Sequence, residues 1–312
     1  MASIKSGYVV LLLSALGLLA QWGAMVANGT LLGLMATSWE DLFAGGVPMK
    51  TTWIGLWPID YVLGLLIAFF YPLLNTTVGN PAPILLTDLL LSLTVFNFMA
   101  AVEDRRRKDT SLLRSPAVCQ LAWQFCGAAT IVPIYLYSYI KTPTSNKFPL
   151  PTDQAQMLPF VAIWTVFTNF PLLVSVVWFF LPLLPLAAEL VHNRISSPST
   201  YYRPSRVSNP AVVGYGIVGS ASAIVHVAVG LWAWNSSEMS WTRMYWPAYS
   251  AVQPGPNLLL RGAMLSVIVL AAYTVGRDIL ATKSSSGTAP AGRLMVSVIA
   301  IMVVFGPGTG AA

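Results

Sequence analysis

Charged side chains are scarce in this sequence of 312 residues: Asp, Glu, Lys and Arg together make up 9% of it. A soluble domain carries about 25%. Hydrophobic residues make up 56%, and several apolar runs reach the roughly 20 residues that a helix needs to cross a bilayer. The composition argues against an ordinary soluble domain. It predicts an all-α fold, a polytopic transmembrane helical bundle.

Cysteines and catalytic motifs are also few. Cys119 and Cys126 lie seven residues apart in one apolar run, about 10 Å along a helix axis, which is too far for a disulfide. The sequence has no P-loop, H-E-x-x-H, G-x-S-x-G or Cys/His cluster. It also has no D-D-x-x-D or D-x-D-D motif to bind magnesium and a diphosphate. We therefore expect no metal and no cofactor. The net charge of +6 lies in short loops and does not indicate a nucleic-acid partner.

Seven apolar runs are long enough to span a membrane, and an eighth is short. The fifth run is too long for one straight crossing, and its prolines predict a kink or a break. We divide the chain into a helical bundle, residues 1–282, and a linker with a short apolar segment, residues 283–312, which forms an eighth span or a frayed tail. The runs cover residues 8–28, 53–74, 84–102, 116–140, 158–190, 211–234, 258–280 and 294–306.

Lys and Arg are distributed unevenly between the loops. Loop 103–115 holds five of them and loop 191–210 holds three, whereas loop 75–83 holds none. Cytoplasmic loops are enriched in Lys and Arg, so the N-terminus is predicted to be lumenal. We expect an integral, multi-pass protein of the endoplasmic reticulum membrane.

Two carboxylates stand at the ends of neighbouring predicted spans. Asp60 lies two residues after Pro58 in the second span, and Glu103 ends the third. A short loop joins these spans, so their helices are predicted to be antiparallel neighbours that bring the two acids together. Two close acids in a low-dielectric site do not both ionise readily, and one can serve as a general acid. Structural alternatives stay open: helix capping for Asp60, and an ion pair with Arg106 or Arg107 for Glu103.

Other polar residues in the spans have weaker claims to a chemical role. Asp88 shares a helical face with Glu103 but lies about 22 Å from it along the axis, so we expect it to anchor the helix. Gln120 and Gln124 are one turn apart in the fourth span. Their amides could orient the acids or a substrate hydroxyl, or could simply join helices by hydrogen bonds. His226 lies in a stripe of small residues and is predicted to be structural.

Short motifs between residues 50 and 140 resemble a known family. The motifs are Gly55-Leu56-Trp57-Pro58-Ile59-Asp60 and Phe69-Phe70-Tyr71-Pro72-Leu73-Leu74 in the second span, Val102-Glu103-Asp104-Arg105-Arg106 at the end of the third, and Gln124-Phe125-Cys126-Gly127 and Pro133-Ile134-Tyr135 in the fourth. They resemble the corresponding spans of fungal membrane-bound terpene cyclases of the ascofuranone and ascochlorin type.

The resemblance implies an enzyme of secondary metabolism, an isomerase or lyase by reaction type. It would protonate the epoxide of a prenyl chain on a meroterpenoid or terpenoid and cyclise the chain through a carbocation, without a metal. Asp60 and Glu103 would carry the acid–base roles. Amides can bind a polar group of the substrate, and aromatic faces stabilise cations. Our candidates for substrate binding are Trp57, Gln120, Trp123 and Gln124.

The implied partners are a lipophilic epoxidised isoprenoid, membrane lipids and a prenyltransferase or monooxygenase of the same pathway. Asn75 stands where the family pattern leads us to expect an acid. This difference bears on substrate and ring pattern more than on the reaction class. The alternative interpretation is a non-enzymatic membrane carrier or scaffold in a pathway of lipophilic metabolites.

Overall fold

The computed structural model describes residues 2–43, 46–74, 82–105, 115–141, 152–167 and 209–235, with residues 297, 300, 301 and 304–306 near the C-terminus. Within these residues the regular structure is helical, with one isolated β-bridge between Leu42 and Pro48. The all-α class is therefore confirmed for the described part of the chain. The helices are α1 (Ala2–Leu18), α2 (Ala24–Ala27), α3 (Thr30–Glu40), α4 (Trp57–Leu74), α5 (Ala82–Arg105), α6 (Pro116–Cys126), α7 (Ala128–Lys141), α8 (Thr152–Phe167) and α9 (Pro210–Asn235), with a π-helical turn at Leu19–Gly23 between α1 and α2.

The first apolar run does not form one straight span over residues 8–28. Its helix passes through the π-helical turn and ends at Ala27, and α3 then leaves at an angle of 65°. Gly29 forms the bend with a left-handed φ of 77°, and the Asn28 side chain accepts a hydrogen bond from the Thr30 N–H at 3.0 Å. The apolar pattern resumes on the far side of this bend, so the helical structure extends beyond the predicted run.

The fourth apolar run is also broken. A single helix over residues 116–140 was predicted, but α6 ends at Cys126 and α7 begins at Ala128. Gly127 separates them with a φ of 87°, and its N–H donates to the Trp123 carbonyl at 2.8 Å. Only glycine adopts this conformation at little cost. The break reorients the chain at the position where the Gln124-to-Gly127 motif ends.

Helix α5 lies at the centre of the described bundle and packs against α8 and α9. It runs antiparallel to α9. Near one end of their interface the Phe98 and Tyr215 rings meet edge to face at 5.0 Å, and ten residues back along α5 Asp88 meets His226. The buried cluster that joins the three helices consists of Val95, Phe98, Val102, Ala155, Leu158, Ala162, Ala211 and Val218.

Few of the described helices are long and apolar enough to cross a membrane. Among the described residues only α9 meets both conditions by itself, and the bent pair Leu11–Ala27 and Thr30–Glu40 would count as a second span if taken together. Shorter apolar helical stretches cover Trp57–Tyr71 and Leu86–Val102, inside the second and third predicted runs, and Ala155–Phe167, which begins three residues before the fifth run and overlaps its start. The seven-span bundle is therefore not confirmed. The seventh run lies outside the described residues. The part of the fifth run after Phe167 and most of the eighth run also lie outside them.

Candidate active site

An apolar cavity of about 320 Å³ lies between α4, α5 and α6, and the π-helical turn, α2, α3 and the start of α7 complete its wall. Its volume falls in the range of small-molecule pockets, roughly 300 to 1,000 Å³. Leucines supply much of the apolar lining, and the polar side chains among the lining residues are Gln21 and Gln124. The aromatic lining residues are Trp22, Phe69, Phe70, Trp123 and Phe125.

The π-helical turn Leu19–Gly23 presents Gln21 and Trp22 to this cavity. A π-helical turn adds a residue to the helix and so changes the direction of the side chains around it, and such turns are frequent at functional sites. The indole Nε1 of Trp22 donates a hydrogen bond to the Cys126 carbonyl at 2.8 Å. That carbonyl is available because α6 ends there. The break between α6 and α7 in the fourth apolar run thus provides the hydrogen-bond acceptor that holds the first apolar run.

Gly127 also makes room for Gln21. A Cβ atom at position 127 would overlap the Gln21 amide, so this contact requires glycine for space as well as for φ. One turn further along α7, Ser14 donates from its hydroxyl to the Thr130 carbonyl at 2.8 Å. Gly17 packs directly on the backbone of Ala129. These contacts hold the end of α1, and with it the π-helical turn, against the α6–α7 break.

The two amides of the cavity share one property. The Oε1 atoms of Gln21 and Gln124 are both buried, and neither has a hydrogen-bond partner among the described residues. The Gln21 side chain is 9% exposed. Buried amide oxygens in proteins nearly always have a donor, so these two atoms are exceptions among the described residues.

Two of the four residues predicted to bind substrate lie at the cavity, and two do not. Trp123 and Gln124 line the cavity, whereas Trp57 and Gln120 are not among its lining residues. Trp57 is 70% exposed, and its ring stacks on Tyr61 at 5.9 Å. Sequence reasoning missed Gln21 and Trp22. The signal that could have found them is a glutamine inside the first apolar run, a residue as unusual there as Gln124 is in the fourth.

Asp60 lies in the first turn of α4 and is buried. Its carboxylate accepts three backbone hydrogen bonds, from the N–H groups of Trp53 at 3.1 Å, Ile54 at 2.9 Å and Gly55 at 2.9 Å. Three donors, together with the positive end of the helix dipole, favour the ionised carboxylate. Asp60 is nine residues before Phe69 and so about 13 Å from the aromatic wall along α4.

Glu103 lies in the last turns of α5, and its side chain falls outside the described residues. Its helical position can still be compared with the cavity. Leu89 and Leu93 line the cavity, and Phe96 and Ala100 face α6 and α7 further along. Steps of four, three, four and three residues connect these positions to 103, so they share one face of the helix. Position 103 is about 15 Å beyond Leu93 on that face.

Asp88 and His226 form a buried pair that the sequence did not reveal. The His226 Nδ1 lies 2.9 Å from Oδ2 and 3.1 Å from Oδ1 of Asp88. Their side chains are 0% and 6% exposed. Neither residue is among those lining the cavity. The anchoring role expected for Asp88 thus has a partner on α9. Among the described residues no three His, Cys, Asp or Glu side chains are grouped to hold a metal ion.

The sequence is similar to known proteins, and this similarity identifies the family of the chain. The CtvD domain profile matches residues 5–187, more than half of the chain. The chain belongs to the CtvD domain family. Terpene cyclase DEP1 of Fusarium langsethiae is 27% identical over 281 residues, which cover 82% of this chain and 76% of the relative. Terpene cyclase ctvD of Aspergillus terreus (strain NIH 2624 / FGSC A1156) is 34% identical over 154 residues, 46% of this chain and 41% of the relative. No solved structure matches the chain significantly.

These relatives confirm the resemblance to fungal terpene cyclases and, with it, the enzyme class terpene cyclase. The CtvD domain match includes every residue that lines the cavity, from Gln21 to Ala128. It also includes Asp60 and Glu103, whereas His226 lies beyond its end. The cavity and both predicted acids therefore belong to the part of the chain that defines the family.

Proposed function

We propose that this terpene cyclase is an integral, multi-pass membrane enzyme that folds an epoxidised prenyl chain in the cavity and cyclises it through a carbocation. The observation that carries the proposal is the cavity itself. It is apolar, and its wall contains five aromatic side chains and two glutamines. A prenyl chain would bury its surface there, and a hydrophilic substrate would not.

The cavity suits the proposed reaction. Protonation of the epoxide oxygen breaks one carbon–oxygen bond and leaves a carbocation, which a neighbouring double bond attacks to form the ring bond. The carboxylate left after protonation of the epoxide takes a proton from the final cation, which restores an alkene and the acid, so the product is an isomer of the substrate. Aromatic faces stabilise the cations on this route. The apolar wall also disfavours water, which would otherwise add to the cations and convert them into alcohols.

The resemblance implies acid–base roles for both Asp60 and Glu103, but the surroundings of Asp60 favour a structural role for it. Asp60 accepts three N–H bonds and is held as a carboxylate, a state that cannot donate a proton. Glu103 is therefore the proton donor of the pair. Its position continues the α5 face that lines the cavity, so a chain that extends from the cavity along this face brings its epoxide end towards Glu103. Asp60 fixes the segment 53–55 before α4.

Outward-facing apolar side chains support the membrane location. Leu32, Trp39, Phe160 and Trp234 are between 67% and 80% exposed, and α9 is long enough to cross a bilayer. Hydrocarbon would cover these surfaces, whereas in water they would favour association. We place the enzyme in the endoplasmic reticulum, where a prenyltransferase and an epoxidising monooxygenase would supply its substrate.

Conversion of an epoxide by membranes tests the proposal. Microsomes of a heterologous host that express the chain are given a prenylated phenol with a terminal epoxide, and products are separated by mass and retention. We expect a cyclised isomer that is absent from control membranes. Phe69→Leu, which removes an aromatic from the cavity wall, should lower its rate. Phe160→Leu, a matched change at a 67% exposed position, should not. An epoxide that binds but stays unchanged would instead favour the carrier interpretation.

A further inference from the structure

We infer that the cavity opens sideways into the hydrocarbon of the bilayer, through a mouth between Trp22 and Phe125, so that a prenyl chain enters it directly from the layer of lipid acyl chains. The inference deepens the proposed function by naming the route of the substrate, and it rests on the membrane location proposed there. The surface around the mouth is covered by acyl chains, and water does not reach it.

The exposure of the wall shows where the cavity opens. The cavity is not fully enclosed. Phe125 lines it and is 45% exposed, whereas every other lining residue is buried or half-buried. The next residue, Cys126, is also exposed, and its carbonyl accepts the Trp22 indole N–H at the protein surface. The cavity therefore reaches the surface where α6 ends.

The rim of the mouth is apolar. The indole N–H of Trp22 is already paired with a carbonyl, so the ring offers its apolar surface to a ligand. On the two sides of the π-helical turn, Leu18, Leu19 and Val26 are 45%, 64% and 61% exposed. None of the residues that line the cavity is charged. Apolar surface of this kind is stable against hydrocarbon and unfavourable against water.

The positions of the charged residues in the sequence place the mouth at the depth of the acyl chains. Residues 6–39, which include Trp22, and residues 115–140, which include Phe125, contain no Asp, Glu, Lys or Arg. Phe125 lies nine residues beyond Pro116, the start of α6, which is about 14 Å along the helix axis. Half of the hydrocarbon thickness of a bilayer is about 15 Å. Both sides of the mouth therefore stand well inside uncharged apolar runs.

Entry from the bilayer suits the substrate and the reaction. Each CH₂ group favours the membrane over water by a factor on the order of four, so a prenyl chain is concentrated among the acyl chains. A lateral mouth receives the chain there without passage through water. The cavity also stays dry while it is loaded, and this protects the carbocations that form later.

Photo-crosslinking from three phenylalanine positions tests the inference without turnover. Benzoylphenylalanine replaces Phe70, Phe125 or Phe160, one at a time, and the full chain is irradiated in phosphatidylcholine vesicles that contain tritiated farnesol. Phe70 lines the cavity and is 8% exposed, whereas Phe160 is 67% exposed and outside the lining. We expect position 125 to capture both phosphatidylcholine and farnesol, position 70 to capture farnesol with little lipid, and position 160 to capture lipid. Only farnesol capture that excess unlabelled farnesol abolishes is counted, and we expect none at position 160.

The outcomes separate the inference from the proposed function. Lipid capture at position 160 but not at 125 would overturn the inference and leave the membrane location intact. The same holds if position 70 captures farnesol and position 125 does not. Absence of lipid capture at all three positions would overturn the membrane location itself.

The native thiol of Cys126 gives a second measurement in case the chain substituted at position 125 does not fold. Cys126 is exposed and Cys119 is buried, and the chain has two cysteines in all, so a thiol-specific nitroxide label reaches Cys126. In phosphatidylcholine vesicles we expect molecular oxygen to relax this label strongly and a water-soluble nickel complex to relax it weakly. The reverse order would place the mouth in water and overturn the inference.

Discussion

His226 Nδ1 lies 2.9 Å from Oδ2 of Asp88 across the interface of α5 and α9. The two residues are 138 positions apart, and both are buried. One turn away on each helix stands a serine, Ser92 and Ser222, and both hydroxyls are buried without a partner among the described residues. The pair is thus a buried polar contact that fixes the register of α5 against α9.

The Asp88–His226 pair should therefore contribute to stability and not to chemistry. Each substitution removes a buried hydrogen bond between the two helices, so Asp88→Ala and His226→Ala should each lower the free energy of unfolding by about 1 to 3 kcal/mol. The double variant should cost clearly less than the sum of both. Thermal denaturation of the four proteins in detergent measures this coupling. Strictly additive losses would show that the residues do not interact.

Gly127 should tolerate no side chain. Gly127→Ala places a Cβ atom in the Gln21 amide and forces alanine to adopt a φ of 87°. We expect a lower melting temperature together with slower cyclisation of the epoxide, since Gln21 and Gly127 both line the cavity. Gly216→Ala is the matched control, because a Cβ atom there meets nothing within 4 Å. Within a helix that change should be neutral or stabilising by about 0.5 to 1 kcal/mol. Equal behaviour of the two variants would contradict the role of Gly127.

Substitutions at Asp60 and at Glu103 should have different effects on stability and on activity. Asp60→Asn weakens the acceptance of three backbone N–H bonds, so its main expected effect is a lower melting temperature. Glu103→Gln removes the proposed proton and should reduce kcat by at least about 10²-fold at an unchanged melting temperature. Cyclisation rates and melting curves of both variants give the comparison. Full activity of Glu103→Gln together with an inactive but stable Asp60→Asn would reverse the assignment.

Cyclisation should not depend on a divalent metal. The sequence contains no D-D-x-x-D or D-x-D-D motif, which leaves no acidic cluster suited to a magnesium–diphosphate site. Turnover of the epoxide in microsomes should therefore persist after treatment with EDTA. Activity that EDTA abolishes and added magnesium restores would point to ionisation of a diphosphate instead of protonation of an epoxide.

Much of the helical pattern could be predicted from hydropathy. The ends of α5 and α9 lie within three residues of the ends of the predicted runs, because a long continuous apolar stretch is compatible with few structures other than a helix. The bend at Gly29 and the break at Gly127 were missed, since single glycines in apolar runs are common and only the tertiary contacts show which one is used.

The site was predictable to a smaller degree. Trp123 and Gln124 were identified because polar and large aromatic groups stand out in a span. Gln21 is equally unusual in the first run but was missed, because the π-helical turn that places it at the cavity has no hydropathy signal. Asp60 was recognised as unusual, but its three N–H partners depend on the fold of residues 53–55. The contact of Asp88 with His226 is tertiary, and no local pattern specifies it.

Photo-crosslinking tests most directly whether the cavity is the active site. A prenyl epoxide with a diazirine on its chain is irradiated with the wild-type enzyme, and labelled peptides are mapped by mass spectrometry. The account predicts labels within residues 62–70, 86–93 and 123–128, which line the cavity, and their loss when unlabelled epoxide competes. Competable labels confined to the outward-facing residues of α8 and α9, with none in those three segments, would contradict it.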